Sequence, residues 1–186
     1  MKQICLIVAL ILLALTGCKA ENDCLQQGIA LRDKLTSQKC SFTAKIVADY
    51  EDKTYSFAMG CSTDADGNLS FIVKEPQTIA GIAGNLTGSS GYLTFDDTAL
   101  AFPLLADGEV SPVSGPWLLI NTLRSGYLAA AGEEGSSIRL TLHDSYEADS
   151  LLVDVWLDEN SVPQRAEILW QGRRVLSLHI EDFLFV

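Results

Sequence analysis

The chain has 186 residues, 48% of them hydrophobic and 20% charged, so it can fill the core of one domain and is not a disordered polymer. Thirteen Lys and Arg stand against 24 Asp and Glu, a charge of −11, and the only adjacent basic pair is Arg173-Arg174. That excludes nucleic acid as a partner, because phosphate backbones are bound by clustered cations.

Met1-Lys2-Gln3 carries one positive charge, and Ile4–Leu15 is an unbroken apolar run of 12 residues. The run is far short of the roughly 20 residues a membrane-spanning helix needs, and it lacks the polar face of a core helix. It therefore reads as an export signal. It ends in Leu15-Thr16-Gly17-Cys18, which resembles the bacterial lipobox: an aliphatic residue, two small residues that fit a peptidase, and a cysteine that takes diacylglycerol on its sulfur. The resemblance implies a signal peptide over 1–17, a lipidated tether over 18–20 and a single domain over 21–186. Two or three acyl chains on Cys18 would anchor the protein to the cell membrane on its extracytoplasmic side, at about 0.8 kcal/mol per buried methylene. Loss of Lys2 brings the mature charge to −12, which repels the domain from anionic headgroups and holds it off the surface.

Glu21–Gln38 reads as a helix, capped by Asn22 or Asp23, with Leu25, Ile29, Arg32 and Leu35 at spacings of three or four. From Cys40 the period changes to two. Phe42, Ala44, Ile46, Ala48 and Tyr50 form one apolar face, Tyr55, Phe57, Met59 and Cys61 a second, and Glu51-Asp52 between them makes a hairpin. A turn at Asp64–Asn68 leads into a strand over Leu69–Val73. Further strands are expected at Tyr92–Phe95, Ala99–Leu105, Ser137–His143, Leu151–Leu157, Arg165–Trp170 and Arg174–Phe185. The last one changes parity, from Leu176, Leu178 and Ile180 to Phe183 and Phe185, which predicts a bulge near Glu181-Asp182. Between Leu105 and Ser137, Ser114-Gly115-Pro116 starts a helix running to Leu128, with Leu119, Ile120, Leu123 and Tyr127 on one stripe. The sum is one mainly β domain of α+β type, with about nine strands and two helices.

Cys40 and Cys61 share a face of the hairpin. If Ala48 pairs with Lys53, the two cysteines are opposite and close enough for a disulfide; if Tyr50 pairs with Lys53, they are only diagonal. Export permits oxidation, and the other outcome is two free thiols acting as small core residues. Cys24 is the spare, although it could compete for Cys40.

No catalytic constellation is present, so the expectation is a protein that is not an enzyme and needs no cofactor or metal. The two histidines, His143 and His179, sit at polar strand positions without a His or Cys at ligand spacing. Adjacent residues such as His143-Asp144-Ser145 cannot align as nucleophile, base and orienter. Asp64-Ala65-Asp66-Gly67-Asn68 has its glycine in the fourth place, not the sixth of a calcium loop.

The lipobox, the first helix, the run of antiparallel strands and the helix after Ser111-Pro112-Val113-Ser114-Gly115-Pro116-Trp117 together resemble the lipoprotein-carrier-like (LolA/LolB-like) fold. Gly67–Pro76 is similar to that family's strand closing on a basic residue and proline, and Pro163–Ile168 to its late strand. The resemblance implies a strongly curved antiparallel sheet, a half-open barrel, with the N-terminal and mid-chain helices on its concave side. It also implies proteins that carry or accept lipidated proteins, or germination-related lipoproteins of spore formers.

A curved sheet with an apolar concave face must be filled by side chains, covered by a helix or occupied by an apolar ligand. The candidate lining is Phe57, Phe71, Phe95, Phe102 and Trp156, under a lid presenting Trp117, Leu119, Ile120, Leu123 and Tyr127. The leading expectation is a tethered protein that binds a lipid, acyl chain or other apolar ligand. The alternative is a structural or interaction lipoprotein of the envelope or spore, with a self-filled core and an envelope protein as partner.

Overall fold

The computed structural model describes residues 22–50, 53–88, 90–95, 98–103, 105–106, 109–147 and 149–186. The export signal, Cys18 and the turn residues Glu51 and Asp52 lie outside the described residues, and at Phe95 and Phe102 only the backbone is described.

Helix α1 covers residues 22–37. Strands β1 (Cys40–Tyr50), β2 (Lys53–Thr63), β3 (Leu69–Glu75), β4 (Ala83–Thr87), β5 (Ser90–Phe95) and β6 (Thr98–Pro103) follow as a meander. A two-stranded ribbon, β7 (Leu105–Ala106) with β8 (Glu109–Val110), leads to a 3-10 turn, Pro112–Ser114, and to helix α2 (Gly115–Ser125). A second meander runs through β9 (Tyr127–Glu134), β10 (Ser137–His143), β11 (Leu152–Leu157), β12 (Pro163–Trp170) and β13 (Arg173–Phe185). β1 pairs with β13, so the two meanders fuse into one antiparallel sheet of 11 strands, ordered β6-β5-β4-β3-β2-β1-β13-β12-β11-β10-β9. β6 and β9 are its outer strands, and the sheet is a curved, unclosed half-barrel.

This topology explains the buried helix. The chain ends its first meander at one edge and must restart at the other, so the connection crosses the concave side. α2 packs there against β10, β12 and β13. Leu119, Ile120 and Leu123 are almost fully buried, beside Ile46, Val155, Ile168 and Leu178 from the sheet. The two helices close each other's ends. Arg32 of α1 donates from Nε to the Leu123 carbonyl (2.8 Å) and from Nη2 to that of Gly126 (2.7 Å). Arg124 of α2 donates in return to the Leu35 carbonyl near the end of α1 and to that of Ala65 (2.8 Å). Each guanidinium thus serves a carbonyl at the C-terminal end of the other helix, and Arg124 also ties the turn before β3 to α2.

Several expectations change. α2 stops at Ser125, not Leu128, because a Cβ at Gly126 would sit 2.6 Å from the Thr122 carbonyl oxygen and 2.7 Å from that of His143. The chain turns there, and Tyr127 and Leu128 pair with His143 and Leu142. Tyr127 therefore belongs to a strand, not to the helix. β4 and β9 were not anticipated: β4 reads Ala-Gly-Asn-Leu-Thr, and β9 is rich in alanine, both poor in strand-forming residues.

The hairpin adopts the diagonal register. Tyr50 pairs with Lys53, which sets Cys40 opposite Thr63 and Cys61 opposite Phe42. The disulfide between Cys40 and Cys61 is therefore not formed, since a one-step diagonal is too long for an S–S bond. Cys24, Cys40 and Cys61 are free and buried, and Cys40 Sγ lies 3.0 Å from Thr63 Oγ1 in a hydrogen bond. The bulge in β13 is present: Ser41 faces Leu184 and Thr43 faces Glu181, leaving Asp182 and Phe183 against Phe42 alone, with Asp182 at φ 54.

Candidate functional site

Where β1 and β2 meet at the Tyr50 end, the concave face is not filled by α2. A cleft of about 690 Å³ opens there. Tyr50, Tyr55 and Phe57 supply one wall, Val73 and Leu93 another, Ile79 and Ile82 a third from the β3–β4 connection, and Val110, Pro112 and Val113 close it from the segment before α2. Alternation places Tyr55 and Phe57 on the apolar side of β2, and the same parity carries Met59 and Cys61 deeper into the core.

The walls are held by backbone and hydroxyl bonds. The Tyr50 hydroxyl donates to the Val110 carbonyl (2.5 Å), pinning the pre-helix segment to the hairpin. The amide of Gly81 donates to the Val73 carbonyl (2.9 Å) and that of Val73 to the Ile82 carbonyl (2.8 Å), folding the connection back over β3. Among the described residues Lys53 is the only charged side chain in the lining, and it is exposed, beside the half-exposed Tyr55 and Ile79. Such a surface can hold an apolar molecule and place a cation at its polar end.

Of the expected lining residues whose side chains are described, Phe57, Phe71 and Trp156, only Phe57 is in this cleft. Phe71 is buried in the core, its ring over Gly84, where a Cβ would meet Cζ at 2.7 Å. Trp117, Ile120 and Leu123 are core residues, 8%, 1% and 2% exposed, and line no part of the cleft. Trp156 is corrected to the outer face of the sheet: its neighbours Val155 and Leu157 point into the core, and it lies between the guanidinium groups of Arg139 (5.2 Å) and Arg165 (4.5 Å). Beside it Asp154, 2% exposed, accepts from Arg139 Nη2 and Thr141 Oγ1, both at 2.6 Å. That hydrogen bond holds the Arg139 guanidinium even more firmly charged than usual.

The residues missed were the rest of the lining: Tyr50, Lys53 and Tyr55 of the hairpin, Val73, Ile79, Ile82 and Leu93 beyond it, and the run from Val110 to Val113. One signal was available, the concentration of Tyr50, Tyr55 and Phe57 at one end of the hairpin on one face. The wall from Val110 to Val113 is far in sequence and carried none.

The Asp64–Asn68 segment is a turn. Asp64 Oδ1 accepts from the amides of Asp66 and Asn68, both 2.9 Å, and Oδ2 from Asn68 Nδ2 at 2.8 Å. These bonds, led by that from the Asn68 side chain, hold its carboxyl below the usual range. Among the described residues no group of three His, Cys, Asp or Glu can hold a metal.

No protein-family model and no curated protein matches the chain. Solved structures resemble it in fold. A LolA superfamily protein from Nitrosomonas europaea is 10% identical, over 84% of this chain and 92% of that one, with a TM-score of 0.46. An outer membrane lipoprotein-sorting protein domain from Vibrio parahaemolyticus is 11% identical, over 90% and 92%, with a TM-score of 0.45. The lipoprotein LppX of Mycobacterium tuberculosis is 11% identical, over 86% and 92%, with a TM-score of 0.43.

Proposed function

We propose that the chain is a membrane-anchored extracytoplasmic lipoprotein that binds a lipid, acyl chain or other apolar ligand in the cleft at the Tyr50 end of the half-barrel. One observation carries the reading: a cleft of about 690 Å³ is walled by aliphatic and aromatic side chains from five separate parts of the chain, with the cation of Lys53 the one charge among its described lining residues. Ligand sites are of this size and this mostly apolar character. The ligand would enter tail first, leaving its polar end near Lys53. No reaction is part of this role.

Binding is tested by displacing an apolar fluorescent dye with fatty acids. Saturable displacement is expected, lost in Val113→Trp, which fills the cleft from its wall. No saturable binding by the wild type would sink the reading. A self-filled interaction lipoprotein is the second reading, favoured by the nearly complete burial of α2, and it requires that null result.

Anchoring rests on Leu15-Thr16-Gly17-Cys18 at the end of the apolar run. Cys18→Ser should leave the precursor uncleaved by the lipoprotein peptidase and without labelled palmitate. Equal labelling of mutant and wild type would refute it.

A further inference from the structure

The outer strand β9 is a lightly guarded edge of the sheet. Its inner side pairs with β10, and it ends the strand order, so among the described residues no strand meets its outer N–H and C=O groups. Exposed edges are normally blunted by proline, by charge or by being short. β9 runs from Tyr127 to Glu134 with no proline, and it has no charge before Glu133. Its one irregularity is a register shift at Ala129, after which Ala130 to Glu134 pair regularly with Thr141 to Ser137. Ala129 and Ala130 are exposed, and a Cβ at Gly132 would meet nothing within 4 Å. The strand therefore offers an extended backbone flanked by shallow surface, on which larger side chains of a neighbouring strand could lie.

Charge defines what fits there. Glu133 and Glu134 stand at one end, both exposed, Glu134 accepting from Arg139 Nη1 at 3.4 Å. At the other, Tyr127 pairs with His143 and its ring meets that of Tyr146 at 5.5 Å, which brings the acidic loop of Asp144, Glu147 and Asp149 beside the edge. The one Lys or Arg on the paired strand β10 is Arg139, opposite Gly132, and it is already engaged by Asp154 at 2.6 Å and by Glu134 at 3.4 Å. Two such acidic edges on copies of a chain of charge −11 would repel one another.

We infer that β9 is a docking edge for an extended segment of a partner protein, apolar in its middle and basic at both ends, which joins the sheet as one more strand. Backbone bonds to β9 supply the attachment, and the acidic ends set register and selectivity. The exposed Tyr127 and Tyr146 rings are available to stack on an arginine of that segment. This surface is separate from the apolar cleft and does not depend on it.

The test is hydrogen exchange on the purified protein with a short peptide of alternating valine and threonine carrying paired lysines at each end. At saturation, amides of residues 127–134 should exchange at least about tenfold more slowly. The same peptide N-methylated at alternate residues should give no protection, and one with glutamates at its ends should bind at least about tenfold more weakly. Glu133→Lys with Glu147→Lys should reverse that preference between lysine-ended and glutamate-ended peptides. The proposal is overturned by an unprotected β9 at saturation, by protection confined to the cleft strands β2 and β3, by indifference to N-methylation, or by a peptide-free dimer already protecting β9.

Discussion

At the scale of single residues, close approach and burial make the sharpest demands. A Cβ at Gly84 would lie 2.5 Å from the Tyr92 carbonyl oxygen and 2.7 Å from Phe71 Cζ, so only glycine lets β4 pass under that ring. Gly84→Ala should therefore cost about 3 kcal/mol in urea unfolding, by overpacking; a loss under about 1 kcal/mol would mean the strands part easily. Burial, and less strongly the neighbouring Cys40, push the Cys61 thiol up, which slows its alkylation. Iodoacetamide should spare Cys24, Cys40 and Cys61 in the folded protein and label all of them after denaturation without reductant, whereas fragments joined through Cys40 and Cys61 would contradict the hairpin register. Glu167 is the acid to watch by pH. Its burial acts to raise the carboxyl, but hydrogen bonds from Arg165 and from Arg174 (2.8 Å) outweigh this and hold it below the usual value of 4.5. A depressed carboxyl adds stability above its unfolded pKa, and this is lost as pH falls through the lower folded one. Glu167→Gln should accordingly flatten the stability profile below about pH 4.5, by a small amount because both arginines are half-exposed. An unchanged slope there would remove the ion pairs from the account.

At the scale of elements, α2 is the decisive piece. Its periodicity in sequence fits equally a lid and a plug, and the difference lies in what surrounds it. With Leu123 2% exposed, Leu123→Asp should cost several kcal/mol for a buried charge. At roughly 2 to 4 °C per kcal/mol the melt should fall by more than about 10 °C; a smaller drop with loss of dye binding would restore the lid. The reciprocal arginines give a second measurement. Arg32→Met keeps much of the stem but frees two carbonyls at the end of α2, and should cost about 2 kcal/mol, charge-assisted bonds being worth more than neutral ones. A change below about 0.5 kcal/mol would show that water replaces the guanidinium at no loss.

At the scale of the whole molecule, two meanders share one core through the β1–β13 ladder, and the crossing helix divides the concave side into a filled centre and an open cleft. A ligand that binds only the folded state stabilises it by mass action, about 2.7 kcal/mol at a hundred times its Kd. An apolar ligand at that level should raise the melting point by roughly 5 to 10 °C in the wild type, and leave Val113→Trp unmoved. An equal rise in both would place the binding elsewhere than the cleft.

Local chemistry was enough to place most of the elements. A period of two from Cys40, a proline in the first turn of α2, and the parity change across Glu181-Asp182 are properties of neighbouring residues, and each survives in the fold as strand, helix and bulge. The alternation also put Cys40 and Cys61 on one face, because side-chain direction follows residue number along a strand. Whether they faced each other depended on a one-step choice of register, and that was decided by pairing of the whole β1–β2 ladder together with β13. The cleft was illegible for a related reason: its walls come from Tyr50, Val73, Ile82, Leu93 and Val113, which no sequence period connects. Trp156 shows the same limit, since alternation separates the two faces of a strand but only the closed core at Val155 and Leu157 tells which of them is inside.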